Sequence, residues 1–307
     1  MSTGQSMKLF RKQMKMHWQL YAIFLLPLIS LIIFKYIPIY GIVISFKSYN
    51  PVKGISGSQW VGMKNFRQFF LSPSSFTIIR NTLKISLFSL IFSFPFPVLL
   101  AVMLNECKMV RYRKTVQMVT YLPYFISTVV LVGIVLQVTD THTGAINIVL
   151  SNMGKPTVNF MGKTNLFVPI YVITDIWSQT GYNSVLYLAA LTGVSPELHE
   201  AAVMDGASRV NRIIHIDLPS IMPTIVLMMI MRTGNIMNLG YEKVFLMQND
   251  INIDVSEIIS TYVYKVGLQN SNYSFSTAIG FMNTIVSLFM VTISNAVAKK
   301  LSGTSMW

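Results

Sequence analysis

Charged residues are scarce in this chain: Asp, Glu, Lys and Arg make up only 11% of its 307 residues. Soluble domains carry about 25%, so water is not the main solvent here. Cysteine is nearly absent. The lone Cys107 excludes an internal disulfide, and no Cys/His group has metal-ligand spacing, which removes redox chemistry, structural zinc and any metal site from consideration. A phosphate-cradling loop is also missing. Such a loop needs Gly, four residues, then Gly-Lys-Ser/Thr, so that backbone amides wrap the phosphates. Gly162-Lys163-Thr164 supplies the end of that pattern, but Thr157 stands where the first glycine belongs and no parallel-sheet pattern surrounds it. With no Ser/His/Asp or Cys/His arrangement on a soluble scaffold either, the chain is expected to be non-catalytic and to hold no cofactor of its own.

What is present is apolar sequence: 52% hydrophobic residues, with a mean hydropathy of +0.54. Crossing a hydrocarbon core of about 30 Å takes roughly 20 apolar residues in a helix. About six runs of that kind appear, near Gln19–Ser45, Thr82–Leu104, Val116–Val138, Leu166–Leu191, Pro219–Leu239 and Ala278–Val297. The first follows Lys8, Arg11, Lys12 and Lys15 like a secretory signal, but it is too long and has no small-residue cleavage site, so it reads as a retained first helix. Met7–Trp18 alternates basic and apolar residues at helical spacing. It reads either as an amphipathic helix on the anionic inner membrane face or as a disordered leader.

A formal charge of +13 raises the question of nucleic acid, and the position of the cations answers it. Lys and Arg stay on the cytoplasmic side of short loops. The N-terminal tail, the loop with Lys108, Arg111, Arg113 and Lys114, the loop with Arg209 and Arg212, and the tail with Lys299 and Lys300 all fall on one side. Both termini are therefore expected in the cytoplasm, and no nucleic-acid partner is expected. Lys47, Lys53, Lys64 and Arg67 break the rule on the opposite side, where the last loop carries Asp250, Asp254 and Glu257. The same topology puts Gly162-Lys163-Thr164 outside the cell, away from ATP.

The loop between the fourth and fifth runs is long, with polar and small residues. Ser195 suits a helix N-cap, Pro196 the first helical position, and Glu197 and Glu200 the positive end of the helix dipole. Ala201, Ala202 and Ala207 permit close approach, Gly206 permits a sharp bend into a second short helix, and Pro219 marks entry into the next span. The expectation is a bent, surface-exposed helical pair.

Glu200-Ala201-Ala202, Asp205-Gly206 and Ile216-x-Leu218-Pro219 resemble, at matching spacing, the EAA loop of binding-protein-dependent ABC importer permeases. Trp60-Val-Gly-Met-Lys-Asn-Phe66 resembles the carbohydrate branch of that family, and Arg232-Thr-Gly-Asn-Ile-Met-Asn-Leu-Gly-Tyr-Glu242 and Thr261-Tyr-Val-Tyr-Lys-Val-Gly267 resemble permeases for polysaccharide or oligosaccharide uptake. The resemblance implies an all-α integral membrane protein of the type I importer permease fold, with about six transmembrane helices. Residues 1–17 form a cytoplasmic segment, 18–300 the permease domain with its coupling loop at 192–219, and 301–307 a short cytoplasmic tail. It further implies two ATPase subunits that bind the ATP and Mg, a second homologous permease chain, an extracellular substrate-binding lipoprotein, and surrounding lipid of the bacterial cytoplasmic membrane. Glu200 and Gly206 would fix the charge contact and the bend that seat the loop in an ATPase groove.

Polar residues inside spans are costly and face a water-filled path or a helical partner. Asp175, Trp177, Gln179, Tyr182 and Asn183 cluster in the fourth run, and Arg232, Asn235 and Asn238 recur in the fifth at a spacing that puts them on one helix face. Aromatic faces stack on sugar rings while amides and guanidinium bind hydroxyls or carboxylates, so a sugar route is one reading. The other is an Asp175–Arg232 ion pair, with the asparagines bonding helices together. Met228, Met229 and Met231 read as adaptable packing. Two function classes remain outside the importer reading: a self-contained ion-coupled carrier, and a membrane scaffold.

Overall fold

A computed structural model describes residues 16–306; the expected amphipathic segment at Met7–Trp18 falls almost wholly outside them. The described chain is helical apart from one two-residue ladder that pairs Lys47 with Trp60 and Ser48 with Gln59. Helix α1 spans Trp18–Phe46, α2 Lys64–Leu71, α3 Ser75–Asn105, α4 Val110–Phe125, α5 Thr128–Val138, α6 Ala145–Asn152, α7 Phe167–Leu191, α8 Pro196–Met204, α9 Arg209–Gly234, α10 Tyr241–Met247, α11 Ile259–Tyr264 and α12 Tyr273–Ser302. Four of these, α1, α3, α9 and α12, are long and apolar enough to cross a membrane, and α4 with α5 makes a fifth if the bent pair is one span. The expected fourth span, α7, has 25 residues and so the length to cross. Its middle is interrupted by Asp175, Ser178, Gln179, Thr180 and Asn183.

The third run departs from expectation. Instead of one straight helix over Val116–Val138, α4 and α5 meet at 100°. Pro123 tightens the end of α4 into a 3-10 turn, because it has no N–H for the helical ladder. Ile126 is extended, and Ser127 opens α5 as its N-cap by accepting from the Val130 amide at 3.4 Å. The fifth run also differs. Its helix stops at Gly234, and residues 235–240 form a turn that leads into α10. Asn235 and Asn238 therefore do not share a helix face with Arg232.

The packing follows the small residues. Ser75, Asn81, Thr82, Ser86, Ser89 and Ser93 form a buried polar stripe on α3, where short side chains let neighbouring helices approach closely. Thr82 Oγ1 accepts from the Ile259 amide at 2.9 Å, and Asn81 Nδ2 donates to the Asp254 and Glu257 carbonyls at 2.9 and 3.2 Å. At Gly181 a Cβ would overlap the backbone of Thr120, so only glycine lets α7 cross α4 there.

Three apolar clusters fill the interior. One joins Val132 of α5, Phe167, Tyr171 and Val172 of α7, and Val244 and Met247 of α10. A second joins Phe69 of α2, Ile259 of α11 and Phe275 and Ile279 of α12. The third lies toward the α8 end, where Val98, Ala101 and Val102 of α3 meet Tyr187 and Leu191 of α7 and Ile221 of α9. Residues Trp18–Leu31 of α1 bury nothing, whereas its C-terminal part lies along α12.

The connection between α10 and α11 is pinned by Asn252, which is wholly buried. Its Nδ2 donates to the Met161 and Met247 carbonyls at 3.1 and 3.2 Å, and its Oδ1 accepts from the Asn249 amide at 3.0 Å and the Ser256 hydroxyl at 2.9 Å. Ahead of α6, amide donation from Thr143 and His142 to Asp140 closes a turn and holds that carboxyl below the ordinary carboxylate value.

Candidate functional site

Three adjacent cavities lie along α7, two of them against α3 and α9 and one against α4, α5 and α10. The first, about 190 Å³, is lined by Ser86, Ser89, Tyr171, Asp175, Arg232, Asn235 and Asn238. The second, about 280 Å³, shares Asp175 and adds Tyr124, Ser178, Gln179, Glu242 and Lys243. The third, about 380 Å³, shares Arg232 and adds Phe94, Tyr182, Asn183, Tyr187 and Met228. Seven of the eight path residues expected from sequence thus line one group of cavities. Trp177 does not; it is exposed on another side of α7. A larger open groove, about 830 Å³, lies apart from these along α2, beside Lys64 and Arg67.

The charge pairing differs from the expected Asp175–Arg232 bridge. Asp175 Oδ1 lies 3.7 Å from Lys243 Nζ, and the same ammonium donates to the Tyr171 carbonyl at 3.0 Å and sits 4.1 Å from the Tyr171 ring centre. The end of α9 at Gly234 explains the exchange of partners. The chain turns back after Asn235, and α10 carries Lys243 onto the face of α7 that displays Tyr171 and Asp175. Arg232 makes no ion pair among the described residues.

The two asparagines are largely occupied by the fold. Asn235 Nδ2 donates to the Met231 carbonyl at 3.1 Å. Asn238 Nδ2 donates to Ser287 Oγ at 3.3 Å and its Oδ1 accepts from Asn283 Nδ2 at 2.7 Å, tying the turn to α12. Asn183 Nδ2 and Thr180 Oγ1, by contrast, are buried with no hydrogen-bond partner among the described residues. Tyr182 stacks on Tyr124 with centroids 3.8 Å apart and planes 4° from parallel, and Phe125 meets it edge-on. Lys243 and Tyr124 were not among the residues singled out from sequence. The lone cation of the short α10 and the aromatic pair beside Pro123 were the available signals.

At the far end of α7 the chain leaves the helix through Thr192–Val194 and forms α8, with Ser195 as N-cap and Pro196 at the first position. The turn after α8 is a Schellman motif: Gly206 N–H donates to Val203 O at 3.0 Å and Ala207 N–H to Ala202 O at 2.8 Å. Gly206 adopts φ +78°, a conformation that glycine takes without Cβ strain. Ser208 then caps the next helix, its Oγ accepting from the Asn211 amide at 3.3 Å. That helix is not the separate short element expected. It continues into α9 through a π-helical stretch at Ile213–Asp217, just ahead of Pro219. A wider turn there accommodates a proline that lacks an amide proton.

Glu200, Ala201, Asp205 and Gly206 are exposed, Ala202 is half-buried, and Ile216 and Leu218 are half-buried in α9 beside exposed Pro219. Around them Leu198, Val203 and Met204 lie open, with Met204 87% exposed. A short helix that leaves these apolar side chains and the acids Glu200 and Asp205 open has surface available for docking.

Comparisons with known proteins agree with this fold. The family described as binding-protein-dependent transport system inner membrane component matches residues 86–303. Protein LplB of Bacillus subtilis is 40% identical over 92% of this chain and 88% of its own length. The polygalacturonan/rhamnogalacturonan transport system permease protein YteP of the same organism is 41% identical over the same shares. A chain of a bacterial alginate ABC transporter, solved in complex with an alginate pentasaccharide-bound periplasmic protein, superposes with a TM-score of 0.88 at 38% identity, over 96% of this chain and 99% of that one.

Proposed function

The chain belongs to the family of binding-protein-dependent transport system inner membrane components, and from that we propose that it forms half of the pore of an ATP-driven carbohydrate importer in the bacterial cytoplasmic membrane. A second homologous permease chain supplies the other half. Two separate ATPase subunits bind ATP and Mg, and an extracellular binding lipoprotein delivers the cargo.

The observation that carries this reading is α8. Membrane helices gain nothing by holding Leu198, Val203 and Met204 out of the interior on a helix closed at Gly206. A groove on an ATPase that encloses this short helix buries those side chains, with Glu200 and Asp205 as charge contacts and Ala201 and Ala202 allowing close seating. Ile216, Leu218 and Pro219 then pass motion into α9.

The cargo assignment rests on the cavities. They combine the stacked Tyr124 and Tyr182, the amide of Asn183, Gln179 and the guanidinium of Arg232, groups suited to ring faces, hydroxyls and carboxylates. Oligosaccharides or polysaccharide fragments fit that chemistry. A carboxylated glycan finds its counter-charge in Arg232.

The experiment is reconstitution of this chain with its partner permease, ATPases and binding protein in liposomes. Glu200→Arg or Gly206→Pro is expected to leave the chain inserted while abolishing ATPase docking and glycan uptake. Normal uptake in both variants overturns the docking role. Uptake by this chain alone, driven by an ion gradient, establishes a self-contained carrier instead.

A further inference from the structure

Beneath α8 lies a charged cluster that docking does not use. Asp217, at the start of the fifth span, is fully buried, and neither carboxylate oxygen has a hydrogen-bond partner among the described residues. Its ion-pair contact is His199 of α8, with Nε2 3.2 Å from Oδ1. The other charged groups facing it are Arg212, in the first turn of α9, and Glu106, at the end of α3. Those two pair with each other at 3.9 Å. Three elements meet in this cluster: α8 through His199, α9 through Asp217 and Arg212, and α3 through Glu106.

A carboxylate buried without donors is costly, and withdrawing its one partner raises the cost sharply. Lifting α8 away from α9 would do that to Asp217. His199 points inward from α8 while Glu200, the next residue, is exposed. The two neighbours therefore differ in surroundings, His199 turned toward the span and Glu200 open to the outside of α8.

We infer that His199 and Asp217 form a strut that transmits displacement of α8 to α9, and that Arg212 and Glu106 extend it to α3. Both are positioning residues. The strut bypasses the covalent connections of α8, through residues 192–195 to α7 and through the Gly206 turn to α9, and the turn is a bend that can absorb motion. The inference rests on α8 being the ATPase-docking helix, and it adds how force leaves that helix.

The test uses the reconstituted complex and two readouts: the amount of ATPase that co-purifies with the chain, and the ATP hydrolysed per glycan imported. His199→Leu and Asp217→Asn are expected to keep ATPase association while raising the ATP cost per import several-fold. His199→Arg, which places a cation in reach of Asp217, is expected to return the ratio toward wild type. A wild-type ratio in His199→Leu overturns the strut. So does loss of ATPase association in both His199→Leu and Asp217→Asn, since the cluster would then be a folding element. Glu200→Arg separates the two levels: if it leaves docking intact the docking reading fails, and if it abolishes docking while His199→Leu is silent only the strut fails.

Discussion

Replacing Lys243 with methionine tests the pairing that holds the cavities together. The substitution keeps most of the aliphatic stem and deletes the ammonium, which touches the Asp175 carboxylate at 3.7 Å, the Tyr171 carbonyl at 3.0 Å and the Tyr171 ring at 4.1 Å. The side chains of Lys243 and Asp175 are 11% and 17% exposed, so Asp175 would be left largely desolvated and unpaired. Breaking a buried pair from one side costs about 3–5 kcal/mol, because the orphaned charge, rather than the lost attraction, dominates. The Tyr171 carbonyl adds little, since it lies within helix α7 and keeps its place in the backbone ladder. If the orphaned charge is the cause, removing it should restore most of the loss: Lys243→Met with Asp175→Asn should lie within about 1.5 kcal/mol of wild type. Arg232→Met, which touches no acid, should cost less than about 1 kcal/mol. Reversible denaturation in mixed micelles measures all three. A Lys243→Met cost below about 1 kcal/mol, or an Arg232→Met cost equal to it, would refute the assignment of Lys243 as the partner of Asp175.

Asn252→Ala removes two amide donations and two accepted hydrogen bonds from a fully buried site, and is expected to cost about 2–4 kcal/mol and to speed hydrogen exchange across 247–257 and around Met161. Unchanged exchange there would show that the connection is held by other contacts. Gly181→Ala drives a methyl into the Thr120 backbone and is expected to cost about 1–3 kcal/mol by separating α7 from α4. A thermal midpoint equal to wild type would mean that the two helices do not cross in close contact.

The shape of the loop that carries α8 was legible in sequence because its signals are local. Ser195 and Pro196 start a helix, Gly206 ends it, and each acts within one turn of chain. The limit of local reading appears a few residues later: Pro219 marked a boundary, yet Ile213–Asp217 widens to a π-turn and carries the helix through it. The third run is bent for a related reason. Hydropathy over Val116–Val138 averages across Pro123 and Ser127, whereas the backbone responds to each singly, ending one helix and capping another. The fifth shows the reverse error. Arg232, Asn235 and Asn238 have helical spacing, but Asn235 and Asn238 serve a turn after Gly234, where their amides bond backbone and α12.

Asp175 shows why the cavities resisted sequence reading more than the loop did. An acid inside a span demands a cation, and the later sequence offers both Arg232 and Lys243. Spacing favours neither, since both lie more than 50 residues from Asp175. The choice is made by where α9 stops. Had the helix run on to Leu239 as its spacing suggested, α10 could not fold back onto Tyr171, and Arg232 would be the nearer partner. Because it ends at Gly234, Lys243 lies against α7 as the partner of Asp175, and Arg232 is left facing two cavities with no ion-pair partner among the described residues. The same helix end that neutralises Asp175 thus leaves one uncompensated guanidinium on the proposed route.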